Sequence, residues 1–155
     1  DSVAGSKNIR ANNLGAGDTE GMMDISYDPK NSEKSSLLGP QNNCNFVRTV
    51  KVLALDTYAQ DVNLERLDFI KCDVEGFELK ALKGMQNTLE KYHPKISIEV
   101  TLPHDQKLEL FDLLVDIGYD QFRKIERGYS HYSLDQDPHQ EGDYFYLYAT
   151  SSLAS

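Results

Sequence analysis

The sequence is short of basic residues, cysteine and long apolar stretches, and each shortage excludes a class of protein. Lys and Arg total 16 against 25 Asp and Glu, a formal net charge of −9, so the basic surface needed for nonspecific binding to nucleic acid or anionic lipid is missing. The two cysteines cannot form a disulfide framework or a zinc ribbon. No run of about 18 apolar residues could span a membrane. We therefore expect a cytoplasmic, reduced protein with neither a nucleic-acid nor a membrane partner.

Several catalytic motifs are also missing. The sequence contains no Walker loop, Ser nucleophile elbow, Cys-x-x-Cys pair or His-Glu-x-x-His helix. A dinucleotide-type glycine loop is absent too, because the segment Gly15-Ala16-Gly17 lacks the third glycine and follows no strand pattern. The four histidines show no metal-ligand spacing, so no metal site is predicted from them. A chain of 155 residues with 39% hydrophobic residues can nevertheless bury the core of one domain.

The pattern along the chain divides it into a loop-rich part, residues 1–45, and an ordered α/β core, residues 46–150. The first part is rich in Gly, Asn, Ser and Asp, and we predict one short strand in it, at 21–27, and a long loop at 28–45. In the core, short apolar runs and three- to four-residue periodicity alternate. They predict strands at 46–53, 67–72, 95–100, 119–125 and 144–149, and helices at 77–92 and 108–117.

The order of these elements is typical of an open, largely parallel α/β sheet. The segment 127–143 shows no helical periodicity, so the strands on either side of it are expected to pair antiparallel. Asp105 is the predicted N-cap of the second helix, and Gly118 its C-terminal stop. Asp56 or Thr57 is the predicted cap of a further short helix.

Candidate site residues follow two of the predicted strands. Ligands of open α/β sheets bind beyond the carboxyl ends of the strands. Asp73 and Glu75 come after one strand, and Glu99 and His104 after the next, so neighbouring parallel strands would place all four around one crevice. A plainer interpretation remains open, in which Asp73 caps the following helix and Glu75 complements its dipole.

Other residues near these positions have structural interpretations. Lys71 is the polar member of an apolar strand, and Cys72 is a buried small hydrophobe. Leu79, Leu82 and Met85 recur at helical spacing and predict a stripe that faces the core.

Residues 67–84 closely resemble the signature of the FkbM-type methyltransferases. That signature consists of an aspartate, an apolar strand, a Lys-x-Asp-Val-Glu-Gly turn and a helix that ends in Leu-Lys-Gly. The chain carries the turn as Lys71-Cys72-Asp73-Val74-Glu75-Gly76 and the helix end as Leu82-Lys83-Gly84. Weaker matches lie in order on both sides: Gly17-Asp18-Thr19-Glu20-Gly21, Ser35-Ser36-Leu37, Val52-Leu53-Ala54-Leu55-Asp56 and Pro94-Lys95-Ile96-Ser97-Ile98-Glu99-Val100.

The resemblance implies an S-adenosylmethionine-dependent enzyme with the Rossmann-like class I methyltransferase fold. Enzymes of this family mostly methylate hydroxyl oxygens of sugars and natural products, which implies a carbohydrate or small-molecule substrate here. Asp73 and Glu75 would be the catalytic residues beside the transferred methyl group, and Asp73 would also contact the cofactor. Glu99 and His104 would lie on the substrate side, and Asn13 would approach the adenine.

The family's glycine-rich cofactor loop lies upstream of anything in this chain. The resemblance therefore implies a C-terminal portion, a single partial domain over residues 1–155, which lacks the first strands. An exposed strand edge would follow, and a homodimer could cover it. Two alternatives remain open. One is a non-catalytic module that binds a partner protein along this edge, and the other is a divalent cation held by Asp73, Glu75 and Glu99.

Overall fold

The computed structural model describes residues 9–28, 31–36, 46–100, 102–125 and 146–153. No helix within these ranges is long and apolar enough to cross a membrane. The elements are β1 (Gly15–Gly17), β2 (Gly21–Asp28), β3 (Asn31–Ser36), β4 (Phe46–Ala54), α1 (Leu55–Asp61), β5 (Phe69–Cys72), α2 (Glu78–Lys83), α3 (Gln86–Tyr92), β6 (Lys95–Ile98), α4 (His104–Ile117), β7 (Gln121–Ile125) and β8 (Tyr146–Thr150).

The strands form two four-stranded sheets, so the fold is α/β with mixed sheets. The first has the order β1-β4-β2-β3 and the second β5-β6-β8-β7. The prediction of a mostly parallel sheet is wrong, because only β1 with β4 and β5 with β6 run parallel, while the other four described pairs run antiparallel. The reason is that β2 runs antiparallel to both β3 and β4 in the first sheet, while β8 lies between β6 and β7 in the second and runs opposite to both. The predicted antiparallel pairing of the last two strands is confirmed.

The loop-rich part contains more sheet than its composition indicates. Strand β2 confirms the short strand predicted at 21–27, but β3 lies within the segment predicted as a long loop. The residues of β3 are mostly polar and have low strand propensity. Pairing with β2, which aligns Asp28 with Asn31, overrides that propensity. The predicted segment 127–143 and the first residues of the predicted last strand, 144–145, lie outside the described residues.

The core lies between the second sheet and the helices α2, α3 and α4. Its fully buried side chains are Leu82, Leu89, Ile96, Ile98, Leu110, Phe111 and Leu114. Leu79, Leu82 and Met85 are all buried, which confirms the predicted apolar stripe. Tyr119 is also buried, and its hydroxyl donates a hydrogen bond to the carbonyl of Pro94 at 2.7 Å. This bond satisfies the polar end of a large buried side chain.

The single helix predicted at 77–92 is divided into α2 and α3 by Gly84 and Met85. The free N–H groups at the start of α3 are capped by Asp56, which lies in the first turn of α1. One carboxylate oxygen of Asp56 accepts from the Thr88 N–H at 2.8 Å, and the other accepts from the Asn87 N–H at 3.1 Å. The prediction that Asp56 or Thr57 caps the helix in which it lies is therefore wrong, since the N-cap of α1 is Ala54.

The second predicted cap is also wrong. Helix α4 begins at His104 with Pro103 in the N-cap position, so Asp105 lies inside the first turn and makes no capping hydrogen bond. Gly118 ends α4 in the left-handed conformation (φ 109°), as predicted.

Gly84 lies where the first sheet meets the helices of the second. A Cβ on Gly84 would lie 1.8 Å from the carbonyl oxygen of Gly17, the last residue of β1. The carbonyl of Gly84 also accepts the N–H of Asp56 at 2.8 Å. Only glycine fits this contact, because the neighbouring atoms belong to backbone and cannot rotate away.

We expect Gly84→Ala to destabilise the fold by about 3 kcal/mol, since overpacking against backbone forces a main-chain shift. Gly21→Ala is the matched control, because nothing lies within 4 Å of a Cβ there. Urea unfolding of both variants measures the difference. Equal unfolding free energies for the two variants would contradict the close contact.

Candidate active site

Three carboxylates converge beyond the carboxyl ends of β5 and β6. The two strands pair in parallel with Cys72 opposite Ile98, and the N–H of Glu99 donates to the carbonyl of Cys72 at 2.9 Å. Asp73 and Glu99, the next residue of each strand, therefore come level with one another. One oxygen each of Asp73, Glu75 and Glu99 lies within 4.8 Å of the other two. We call these three side chains the acidic cluster. Of the four residues predicted to surround one crevice, the structure brings these three together, and His104 is not in the group.

A turn with two left-handed residues places Glu75 in the cluster. Glu75 has a φ of 49° and Gly76 a φ of 86°. Glycine adopts this conformation freely, whereas a residue with a Cβ loses about 1 kcal/mol or more in it. Strain of this kind persists only where the surroundings fix the backbone, and it is frequent at functional sites.

The carboxyl groups of the cluster influence one another's protonation. The pKa of Glu99 is raised to about 7, chiefly by a hydrogen bond with Asp73, then by burial and by the charges of Asp73, Glu75 and Glu78. Two carboxyl groups in contact cannot both ionise easily, so they hold one proton between them. The Lys71 ammonium donates to Asp73 at 2.6 Å and offsets part of the negative charge.

Two residues beside the cluster were not predicted to take part in it. Lys71 was interpreted only as a polar strand residue, although residues two apart in a strand point to the same face and Asp73 follows at that spacing. Glu78 is fully buried at the start of α2, and its Oε1 accepts the Gly76 N–H at 3.0 Å. No periodicity marks a buried carboxyl of this kind.

Cys72 is buried, as predicted, and burial raises the pKa of its thiol to about 12. The thiolate, which is the reactive form of cysteine, is therefore suppressed. Cys72 thus serves the core rather than the chemistry of the site.

The remaining predicted site residues, His104 and Asn13, are not members of the acidic cluster. His104 is exposed at the first position of α4, and Asn13 is exposed ahead of β1, in the other sheet. The plainer interpretation of Asp73 as a helix cap is wrong, because α2 starts at Glu78 and its N-cap is Phe77.

The acidic cluster is accessible and negatively charged, which fits a cation. Asp73 and Glu75 are exposed and Glu99 is half-buried. Their oxygens are the hard ligands that divalent cations prefer, and they would equally attract an organic cation. A cavity of about 440 Å³ lies elsewhere, between α1 and α3, and includes Asp56, Asn63 and Tyr92 in its lining.

Comparisons with known proteins identify the family of this chain. Residues 4–129 match the family model described as the methyltransferase FkbM domain. Methyltransferase sdnD of Sordaria araneosa is 34% identical over 76 residues, which are 49% of this chain and 28% of that protein. The crystal structure of methyltransferase FkbM from Methylobacillus flagellatus KT has a similar fold, with a TM-score of 0.50 at 23% identity, over 88% of this chain and 27% of that one.

The family match includes both sheets' parallel strand pairs, the left-handed turn and all three carboxylates of the acidic cluster. The chain spans less than a third of the length of either relative. Because the family model covers most of the chain, the protein belongs to the FkbM methyltransferase family.

Proposed function

We propose that this chain takes part in S-adenosylmethionine-dependent methyl transfer to a hydroxyl oxygen of a sugar or small natural product, and that the acidic cluster is the reacting centre. Family membership supports methyl transfer. The contact between Asp73 and Glu99, with the pKa of Glu99 raised to about 7, is the observation that favours a hydroxyl acceptor.

A hydroxyl group must lose its proton as its oxygen attacks the methyl carbon. A general base is most effective when its pKa lies near the working pH. The ionised Asp73–Glu99 pair can take up this proton and hold it between two carboxylate oxygens. Glu75 provides a third set of acceptor oxygens beside them. An acceptor with several neighbouring hydroxyl groups, such as a sugar, is suited to this arrangement.

The cofactor implied by the family fits the charge of the cluster. S-adenosylmethionine, when bound, supplies a methyl group on a positively charged sulfur. The three carboxylates outnumber the Lys71 ammonium that contacts them, so a cation is attracted to this edge. We assign Asp73 to the cofactor side, Glu99 and the exposed His104 to the substrate side, and Asn13 to the adenine.

The second sheet is consistent with the later half of a Rossmann-like methyltransferase sheet. Its strands β5 and β6 are parallel and joined by the helices α2 and α3, while β8 runs antiparallel. In open sheets of this kind, ligands bind beyond the carboxyl ends of the parallel strands, which is where the acidic cluster lies.

The first prediction concerns the reaction product. We expect S-adenosylhomocysteine to bind the chain with micromolar affinity in a calorimetric titration. A ligand at about 100 times its Kd stabilises the folded state by about 2.7 kcal/mol, which raises the Tm of a domain of this size by roughly 5–10 °C. Absence of both heat and Tm shift at millimolar ligand would contradict the proposal for this chain, and would favour a fragment that needs the upstream strands or a non-catalytic module that binds a protein partner.

The second prediction concerns Asp73. Asp73→Asn is expected to lower methyl transfer from labelled S-adenosylmethionine to a panel of sugars by about 10²–10⁴-fold. The reason is that the Asp73–Glu99 pair, which acts as the base, loses one of its two carboxylates. The Tm should stay equal or rise, since the carboxylate crowds Glu99 and an exposed pair such as Lys71–Asp73 contributes at most about 1 kcal/mol. Asp116→Asn, at an exposed site on α4, is the control and should keep full activity. An unfolded Asp73→Asn protein would instead indicate a structural role.

The third prediction concerns pH. If Glu99 must be ionised, kcat/KM should rise with pH and level off above about 7, and Glu99→Gln should abolish this rise.

The free energy of unfolding should change with pH in the opposite direction. The folded chain binds this proton more tightly than the unfolded chain, so the stabilisation from Glu99 is complete below about pH 4.3 and is lost as the pH rises to about 7. Urea unfolding of wild type and Glu99→Gln across this range measures the loss. A constant difference between the two proteins would refute the assignment.

A further inference from the structure

Glu78 is a buried carboxyl group with no role in the proton transfer described above. Its side chain is fully buried at the first position of α2. Oε1 accepts a hydrogen bond from the Gly76 N–H at 3.0 Å, the backbone N–H groups of Glu78 and Val74 also interact with the carboxyl group, and Oε2 has no hydrogen-bond partner among the described residues. Burying a carboxyl group with an oxygen left unbonded is unfavourable. An apolar side chain at this position would avoid that cost. The presence of a carboxyl group therefore needs an explanation, and the hydrogen bond that Oε1 accepts from the Gly76 N–H offers one.

The Gly76 N–H belongs to the peptide group that joins the two left-handed residues, Glu75 and Gly76. The hydrogen bond from Gly76 to Glu78 therefore fixes the plane of this peptide group, whose orientation is set by the ψ of Glu75 and the φ of Gly76. The backbone hydrogen bond across this turn, from the Phe77 N–H to the Val74 carbonyl, is long, at 3.3 Å, so the shorter bond to Glu78 adds to it. Glu75 has a Cβ and would leave the left-handed region without such a restraint.

We propose that Glu78 is a positioning residue, whose hydrogen bond to the Gly76 N–H holds the turn that brings Asp73 and Glu75 against Glu99. The inference rests on the proposed function only in taking the acidic cluster as the reacting centre. Glu78 touches neither the acceptor nor the cofactor in this assignment and acts through the backbone of the turn.

Glu78 could influence the cluster in a second way, through its charge. The charge of Glu78 raises the pKa of Glu99, although it is the smallest of the causes, whereas the hydrogen bond with Asp73 is the largest. Two substitutions separate the effect of the length of the Glu78 side chain from the effect of its charge. Glu78→Gln keeps an acceptor oxygen at the same distance and removes the charge. Glu78→Asp keeps the charge and shortens the side chain by one methylene, so that its oxygen no longer reaches the Gly76 N–H.

The test follows the carboxyl ¹³C shift of Glu99 by NMR as the pH is changed, in wild type and both variants. Wild type should titrate at about 7. In Glu78→Asp the midpoint should fall by about one pKa unit or more towards the ordinary value of about 4.3, because Asp73 moves away from Glu99. In Glu78→Gln it should stay within about half a unit of wild type. Glu90→Gln, at an exposed position of α3, is the control and should change nothing.

Hydrogen exchange at the Gly76 amide is the second measurement. Protection should persist in Glu78→Gln and be lost in Glu78→Asp. A midpoint that falls in Glu78→Gln but not in Glu78→Asp would show that charge acts and would overturn the proposal, as would an unchanged midpoint in both. If Glu78→Asp does not fold, Glu78→Met replaces it, because Met keeps the length of the side chain and lacks the acceptor oxygen. The midpoint should then fall and the Gly76 amide lose protection in Glu78→Met but not in Glu78→Gln, and an unchanged midpoint in both would refute the proposal.

These readouts need neither cofactor nor acceptor. A failed titration with S-adenosylhomocysteine would therefore contradict the methyltransferase proposal and leave the role of Glu78 in the turn standing. Conversely, a Glu99 midpoint that does not depend on whether the side chain of residue 78 reaches the Gly76 N–H would contradict the role of Glu78 and leave the methyltransferase proposal standing.

Discussion

The parallel register of β5 and β6 determines where the acidic cluster lies. Cys72 and Ile98 are paired, both are buried in the core, and the residue after each of them is a carboxylate. A slip of one residue would turn the core-facing side chains of either strand to the opposite face. The same apolar contacts that hold the second sheet against its helices therefore also bring Asp73 level with Glu99. The packing of the core therefore sets the level of Asp73 and Glu99, while the hydrogen bond from the Gly76 N–H to Glu78 bears on the turn that carries Glu75.

The part of the site that follows from strand ends could be predicted from the sequence. Asp73, Glu75 and Glu99 each follow an apolar strand, and the helices between the strands require a parallel crossover, so their convergence follows from local patterns. The mixed character of the sheets could not be predicted in the same way. In the second sheet it results from the insertion of β8 between β6 and β7, and in the first from the position of β4 between β1, which is parallel to it, and β2, which is antiparallel. Both arrangements pair strands that lie far apart in the chain.

The features that sequence patterns missed depend on partners distant in sequence or on single atoms. The break between α2 and α3 is due to Gly84 lying against the carbonyl of Gly17, which no helical periodicity reveals. Asp56 has the residue type of a cap, but the helix that it caps is identified only by the fold. Glu78 has the hydrophilic character of a surface residue, and only its hydrogen bond to the Gly76 N–H explains why it is buried. His104 and Asn13 remain predictions, because their assignment came from position alone.

The cap that Asp56 places on α3 has a consequence for the order in which the chain folds. Helix α3 has 7 residues, fewer than an isolated helix needs to be stable in water. Its first N–H groups are satisfied by a carboxylate 31 and 32 positions earlier in the chain. Closing that loop costs entropy before the bonds can form. We therefore expect α3 to become stable only once β4 and α1 are in place to supply Asp56.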